Sequence, residues 1–233
     1  MKRGFVISGG SISLELLSKV LHKNNLNKED IIIAVDAGLE ALDHLGIKPD
    51  ILIGDFDTVD ERVLYIYNNR DEITVERHNC VKNSTDTELA VDAATKEDCD
   101  EIYILGCFGG RMDHSISNIY LAFRGIYNKK EDEKRIRIYL LDECNKVYAI
   151  DEFDKEYSIT RLEQWGKYIS FFPVGGIVGS LSVSGVKYPL SDRTINLYEN
   201  PSLTTSNEII ENKATISVKD GILIIVESKD KKI

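Results

Sequence analysis

The chain has 233 residues, 42% of them hydrophobic and 29% charged, which predicts a soluble globular protein of one large or two modest domains. Its net charge of −10 disfavours non-specific binding to a polyanion such as DNA, but leaves room for a local site gripping a small anion and mildly favours a cationic ligand. No apolar run approaches the roughly 20 residues of a membrane helix, and the opening MKRGFVISGG lacks a signal-peptide core, so a cytoplasmic location is expected.

In chain order, GFVIS, IIIAVD, ILIGDFD, EITVE, EIYILGC and RIRIYLLD read as strands, most of them too continuously apolar to have one wet face. Between them, SLELLSKVLHKN and TDTELAVDAATKE carry apolar residues at helical spacing. This alternation predicts an α/β domain over residues 1–150, a mostly parallel sheet flanked by helices on both faces. NKKEDEKR reads as a solvated loop, and the acidic DEFDKEY marks a boundary. Over residues 151–233 the segments EYSITRL, KYISFFPV, GSLSVSG, KATISVKDG and ILIIVES predict a small all-β sandwich, with VKDGIL as a type I′ hairpin signal. The four cysteines, Cys80, Cys99, Cys107 and Cys144, show no Cys-x-x-Cys pair and no zinc-ligand spacing, so neither structural zinc nor a disulfide framework is expected.

Ligands of a parallel α/β sheet bind beyond the carboxyl ends of its strands. Polar residues collect there: Ser8-Gly9-Gly10-Ser11 after the first strand, Asp36-Ala37-Gly38 after the second, Asp55 and Asp57 after the third, and Gly109, Gly110, Arg111, Asp113 and His114 after the fifth. Gly9 and Gly10 either admit an anion to backbone N–H groups or simply let the chain turn. Asp86 follows Thr85 in a capping-box pattern, so by itself it reads as a helix-start residue. His114 reads equally as a structural or a catalytic residue. Asp55 and Asp57 read either as turn formers or, because alternation along an extended segment aims both carboxylates to one side and calls for a cation between them, as a metal site, and the second reading is preferred. Mg²⁺ accepts such hard oxygen ligands together with phosphate oxygens and water. Lys82 and Arg111 would offset the remaining phosphate charge, Arg111 through a bidentate fork. The set implies a Mg-nucleotide site, although no Walker-type loop is present.

GDFDTV, KNSTDTELAV and GCFGGRMDHSISN, in this order, resemble the thiamine pyrophosphokinase (thiamine diphosphokinase) family, and the resemblance continues through GVKYPL and SLTTSNEI. It implies an α/β nucleotide domain joined to a β-sandwich for thiamine and dimerisation, a homodimer with shared active sites, and Mg²⁺-dependent transfer of pyrophosphate from ATP to thiamine with AMP as the other product. On this chain the metal acids fall on Asp55, Asp57 and Asp86, with Arg111 and Asp113 completing the catalytic set. The nucleotide side falls on Gly9, Gly10, Asp36, Gly38, Lys82, Gly109, Gly110, Arg111 and His114. The acceptor side falls on Tyr188, Thr204, Ser206 and Asn207. Thr58, Ala37, Asn83 and Tyr188 depart from the residues common in the family, which has Ser, Gly, an acid and, in some members, Trp at these places. The rival readings are a non-catalytic nucleotide- or thiamine-binding regulator, and a pyrophosphokinase acting on another heterocycle such as a pterin.

Overall fold

The β-branched runs up to Glu143 fold as β1 (Arg3–Ile7), β2 (Ile31–Val35), β3 (Ile51–Gly54), β4 (Thr74–Arg77), β5 (Glu101–Leu105) and β6 (Arg137–Leu141). The intervening stretches hold α1 (Leu14–Val20), α2 (Gly38–His44), α3 (Glu61–Asn68), α4 (Asp86–Lys96) and α5 (Met112–Leu121). This computed structural model describes residues 1–22, 26–78, 84–127 and 135–231. The chain divides into two units, the first holding Met1–Leu121 and the segment that ends at Glu143.

Every strand pair in the first unit is parallel, and the pairings give the order β6-β5-β1-β2-β3-β4. Consecutive residues of the central strands, Val6 and Ile7, Ile33 and Ala34, Leu52 and Ile53, are fully buried. Successive side chains of a strand point to opposite faces, so both faces are covered, as the unbroken apolar runs predict. The chain moves outward from β1 through β4 and then returns to the other side of β1 for β5. That reversal opens a crevice beyond the carboxyl ends of β1 and β5. The helices start on side-chain caps: Ser13 accepts from the Leu16 N–H, Asp60 from Arg62 and Val63, and Thr85 from Glu88. Helix α1 ends at Val20, earlier than its apolar spacing suggests. Among the described residues no helix is long and apolar enough to cross a membrane.

The second unit takes Ala122 onward through α6 (Arg124–Tyr127), and everything from Cys144 on. Its strands are β7 (Asn145–Asp151), β8 (Tyr157–Thr160), β9 (Tyr168–Pro173), β10 (Ile177–Ser184), β11 (Leu190–Asn196), β12 (Asn207–Glu208), β13 (Lys213–Ser217) and β14 (Ile222–Ser228). They form two antiparallel groups, β12-β9-β14-β7 and β11-β10-β13-β8. Burial alternates along β13 and β14, and the rings of Tyr148 on β7 and Tyr157 on β8 meet at 5.5 Å between the groups. The division falls before β7 and not at Asp151, because β7 pairs along its whole length with β14.

The Asp220-Gly221 turn does not make the hairpin that its sequence suggests. Strand β13 pairs with β10 and β8, whereas β14 pairs with β7 and β9, so the turn carries the chain from one sheet to the other. Gly221 has the positive φ of 98° that the turn requires, and Asp220 bridges to Gly179. A local turn signal specifies chain reversal; the hydrogen-bonding partner is chosen by the sheets on either side.

One carboxylate lies deep in this unit. Glu227 of β14 is 1% exposed, accepts the Trp165 N–H at 2.6 Å and pairs with the Lys146 ammonium at 3.5 Å. Burial, followed by the Glu227 charge, pushes the Tyr148 phenol well above its ordinary range. Glu227→Ala takes the shared acceptor from Trp165 and Lys146, and is expected to lower the unfolding free energy by about 3 kcal/mol, read from urea denaturation with an unchanged slope.

Candidate active site

A cavity of about 570 Å³ occupies the crevice of the first unit. It is built where the loops after β1 and β5 interlock: Ser8 N–H donates to Leu105 O at 2.8 Å, Gly10 N–H to Gly106 O at 2.9 Å, and Ser11 N–H to Phe108 O at 3.1 Å. A Cβ on Gly10 would run into the Gly106 carbonyl, and one on Gly106 into the Ser8 carbonyl. These glycines are therefore needed for backbone contact between loops. The Gly10 N–H is committed to that contact and is not available to an anion, which leaves Gly9, Gly109 and Gly110 on the cavity wall.

The cavity brings together Gly9, Gly10, Asp36, Asp86, Gly109, Gly110, Arg111 and His114 of the sequence-predicted residues. Gly38, Asp55, Asp57 and Asp113 are outside its lining. Gly38 is buried at the start of α2, where its Cα lies against the Ile7 carbonyl. Lys82 lies outside the described residues, as does Asn83.

The opening acid pair is arranged differently from its sequence reading. Strand β3 stops at Gly54, Phe56 takes a φ of 62° in the left-handed region, and the Asp57 N–H donates to Asp55 Oδ1 at 3.2 Å. Extended alternation does not run through Asp55 and Asp57; they form a tight turn in which one carboxylate ties down the other residue's backbone. The turn is held from beneath by buried Phe56, whose ring carries the Arg77 guanidinium 5.3 Å from its centroid. Asp36, itself at a φ of 44°, rests its carboxylate against Gly54, where a Cβ would collide with it, and accepts the Phe56 N–H at 3.4 Å. Two strand ends thus put Asp36, Asp55 and Asp57 into one neighbourhood.

Among the described residues, no group of three or more His, Cys, Asp or Glu side chains is arranged to hold a metal ion by itself. Mg²⁺ commonly uses only one or two protein carboxylates, with phosphate and water supplying the rest. The donor chemistry fits such an ion: Asp36 and Asp86 present hard oxygens to the cavity, and a polyanion entering beside them requires a cation. Cys107 also lines the cavity, but burial pushes its thiol far above the ordinary range and it donates to Ile104 O at 3.4 Å. It is no thiolate ligand.

Arg111 precedes α5 on the cavity rim. Its fork holds Asp113, Nε to Oδ1 at 3.1 Å and Nη2 to Oδ2 at 2.5 Å, and the Asp113 carboxyl is thereby held below the usual carboxylate range. Asp113 Oδ1 also accepts the His114 N–H at 3.0 Å. Two further features went unread in the sequence. Buried Ser8 and Thr87 join their hydroxyls at 2.7 Å, tying β1 to α4. Buried Asn118 donates from Nδ2 to Cys107 O at 2.7 Å, tying α5 to the β5 loop. The spacing of His114 and Asn118, four residues apart on one helix face, was the available signal.

In the second unit, Tyr188 is exposed, whereas Thr204 and Asn207 are buried. The Thr204 hydroxyl donates to the Phe171 carbonyl, and the Ser206 N–H donates to Ser170 Oγ at 2.9 Å.

Two family models match the chain: thiamin pyrophosphokinase, catalytic domain, over residues 22–139, and thiamin pyrophosphokinase, vitamin B1 binding domain, over residues 156–223. A thiamine pyrophosphokinase of Bacillus subtilis is 34% identical over 208 residues, 85% of this chain and 87% of the relative. Thiamine pyrophosphokinase 1 of Oryza sativa is 26% identical over 76% of this chain and 65% of its own length. The crystal structure of a Bacillus subtilis thiamine pyrophosphokinase superposes with a TM-score of 0.83 at 31% identity, covering 99% of this chain and all of that one. A thiamin pyrophosphokinase from Geobacillus thermodenitrificans gives 0.79 at 26% identity, covering 100% of this chain and 99% of its own.

Asn118→Leu leaves the Cys107 carbonyl without its donor in a buried place. The variant is expected to lose about 1 to 3 kcal/mol of stability by denaturant titration.

Proposed function

The chain belongs to the thiamine pyrophosphokinase family, and from that premise we propose how its residues divide the work of the reaction. The enzyme is a transferase that moves a pyrophosphoryl group from ATP to the hydroxyethyl group of thiamine, giving thiamine diphosphate and AMP. The observation that carries the assignment of roles is the cavity at the β1/β5 crevice, where glycine-rich loops, two carboxylates and an arginine converge.

ATP occupies this cavity, with its phosphates against Gly9, Gly109 and Gly110 and the Arg111 guanidinium. Asp55, Asp57 and Asp86 would hold Mg²⁺, with Asp36 beside them, and the ion would supply positive charge against phosphates that the protein's own acids repel. Lys82 joins the phosphate contacts, a role that rests on the sequence resemblance. The thiamine hydroxyl oxygen forms a bond to the β-phosphorus while the bond from that phosphorus to the AMP oxygen breaks, and AMP leaves with the electron pair. Such transfers need positioning and charge stabilisation more than a covalent nucleophile. The hydroxyl proton passes to a carboxylate. Asp57 and Asp113 are the candidates for this step.

The first unit is the catalytic domain, and the second provides the acceptor surface, with Tyr188 and Ser206 meeting the vitamin and Thr204 and Asn207 supporting them. An aromatic face suits the cationic thiazolium ring. A homodimer with shared sites is part of the same proposal. It is supported by Met112, Ile116 and Tyr120, exposed at four-residue intervals along α5 beside the cavity rim. A cytoplasmic location is part of the same proposal, supported by the buried thiol of Cys107, which suits a reducing compartment.

The test is incubation with ATP, Mg²⁺ and thiamine, with both products identified by mass. Thiamine diphosphate and AMP are expected; ADP with thiamine monophosphate would refute pyrophosphoryl transfer. In the same assay Asp57→Asn is expected to reduce turnover by about two orders of magnitude or more with the fold intact by circular dichroism, since the amide lacks the charge that holds the metal. At thiamine well below its KM, mixed dimers of Asp57→Asn and Tyr188→Ala subunits are expected to be more active than either parent, because one site of the mixed dimer receives both intact halves. Mixed dimers no more active than the mean of their parents would place each site within a single chain.

A further inference from the structure

We propose that Asn207 is a positioning residue that acts on the acceptor through Tyr188, an inference that rests on the acceptor surface proposed above. The segment before Tyr188 runs antiparallel to the one after Asn207. Ile210 N–H donates to Gly185 O at 3.0 Å, Val186 bridges Ile209, and Lys187 N–H donates to Glu208 O at 2.9 Å. The backbone ladder stops there, because Ser206 takes a φ of 58° and the chain turns away.

At the next step the Asn207 side chain stands in for the missing strand. Its Oδ1 accepts the Tyr188 N–H at 3.0 Å, and its Nδ2 donates to the Tyr188 carbonyl at 2.8 Å. The same Oδ1 accepts the Glu208 N–H at 2.9 Å. Both oxygen lone pairs and one of the two amide hydrogens are used, and the residue is 6% exposed. An amide so committed has little left for a ligand.

What it holds is the opposite. Tyr188 is 61% exposed, and the Lys187 ammonium lies 5.5 Å from its ring centroid. An exposed ring on a fixed backbone presents its face without the entropic cost of ordering it at each binding event. Asn207 does for Tyr188 what a neighbouring strand does elsewhere, and Pro189, which has no N–H, follows directly.

A double-mutant cycle in the full-length enzyme tests this, with separate KM values for thiamine and ATP. Asn207→Ala and Tyr188→Ala are each expected to raise the thiamine KM about tenfold with the ATP KM within about twofold, and the double variant to be no worse than Tyr188→Ala alone. If Asn207→Ala fails to fold, Asn207→Asp replaces it in the cycle: it keeps both Oδ1 bonds and sets an oxygen against the Tyr188 carbonyl. Effects that multiply in the double variant would show that Asn207 acts independently of Tyr188 and would overturn the inference. A raised thiamine KM in the Asn207 variant beside a normal one in Tyr188→Ala would also overturn it. Normal values in both variants would instead sink the acceptor-surface reading on which it rests.

Discussion

The interlocking of the loops after β1 and β5 is the constraint on which the site depends. A parallel sheet that grows outward from β1 in one direction and then in the other must separate its two crossovers, and ligand space opens where they part. Here the parting chains are sewn together by three backbone hydrogen bonds, one of them between Gly10 and Gly106, where there is no room for a side chain. The cavity floor is therefore backbone, and the residues above it are fixed to within the tolerance of those bonds. The Ser8–Thr87 and Asn118–Cys107 bonds extend the same anchoring to α4 and α5, so the two helix starts that face the cavity are tied to the sheet beneath it.

Charge is the second organising term. A protein of net charge −10 with Asp36 and Asp86 on its cavity wall would take up a polyanion there against electrostatics unless cations intervened. Arg111 places one at the rim, its fork satisfied by Asp113. The pairing keeps the guanidinium planar and oriented beside the helix start. It also holds the Asp113 carboxyl below the usual carboxylate range.

In the second unit, side chains repeatedly take the place of backbone partners. Asn207 continues a ladder past its last strand residue, Thr204 donates to the carbonyl of Phe171, and Glu227 accepts an N–H that no strand reaches. Each gives a backbone N–H or C=O a side-chain partner. The consequence for function is that the surface bearing Tyr188 is set by buried polar residues, two of which, Thr204 and Asn207, read in sequence as ligand contacts.

The sequence by itself determined the class of each unit, the collection of glycine and charge at strand ends, and the family. Those features are local: unbroken apolar runs mark strands covered on both faces, helical spacing marks their crossovers, and short motifs keep their order along the chain. What only the tertiary structure decided was which strand lies beside which. The placement of β1 between β2 and β5 creates the cavity, and the membership of β7 in the second unit follows from its pairing with β14. The Asp220-Gly221 turn crosses between sheets because its flanking strands find partners elsewhere. The Asp55–Asp57 turn replaces an extended alternation because Phe56 turns into the core at a positive φ. Asn207 supports Tyr188 because the chain departs at Ser206 and leaves a backbone pair to be satisfied. Hydrogen bonds and burial between residues far apart in the chain decide such matters, and periodicity within a window of a dozen residues carries no record of them.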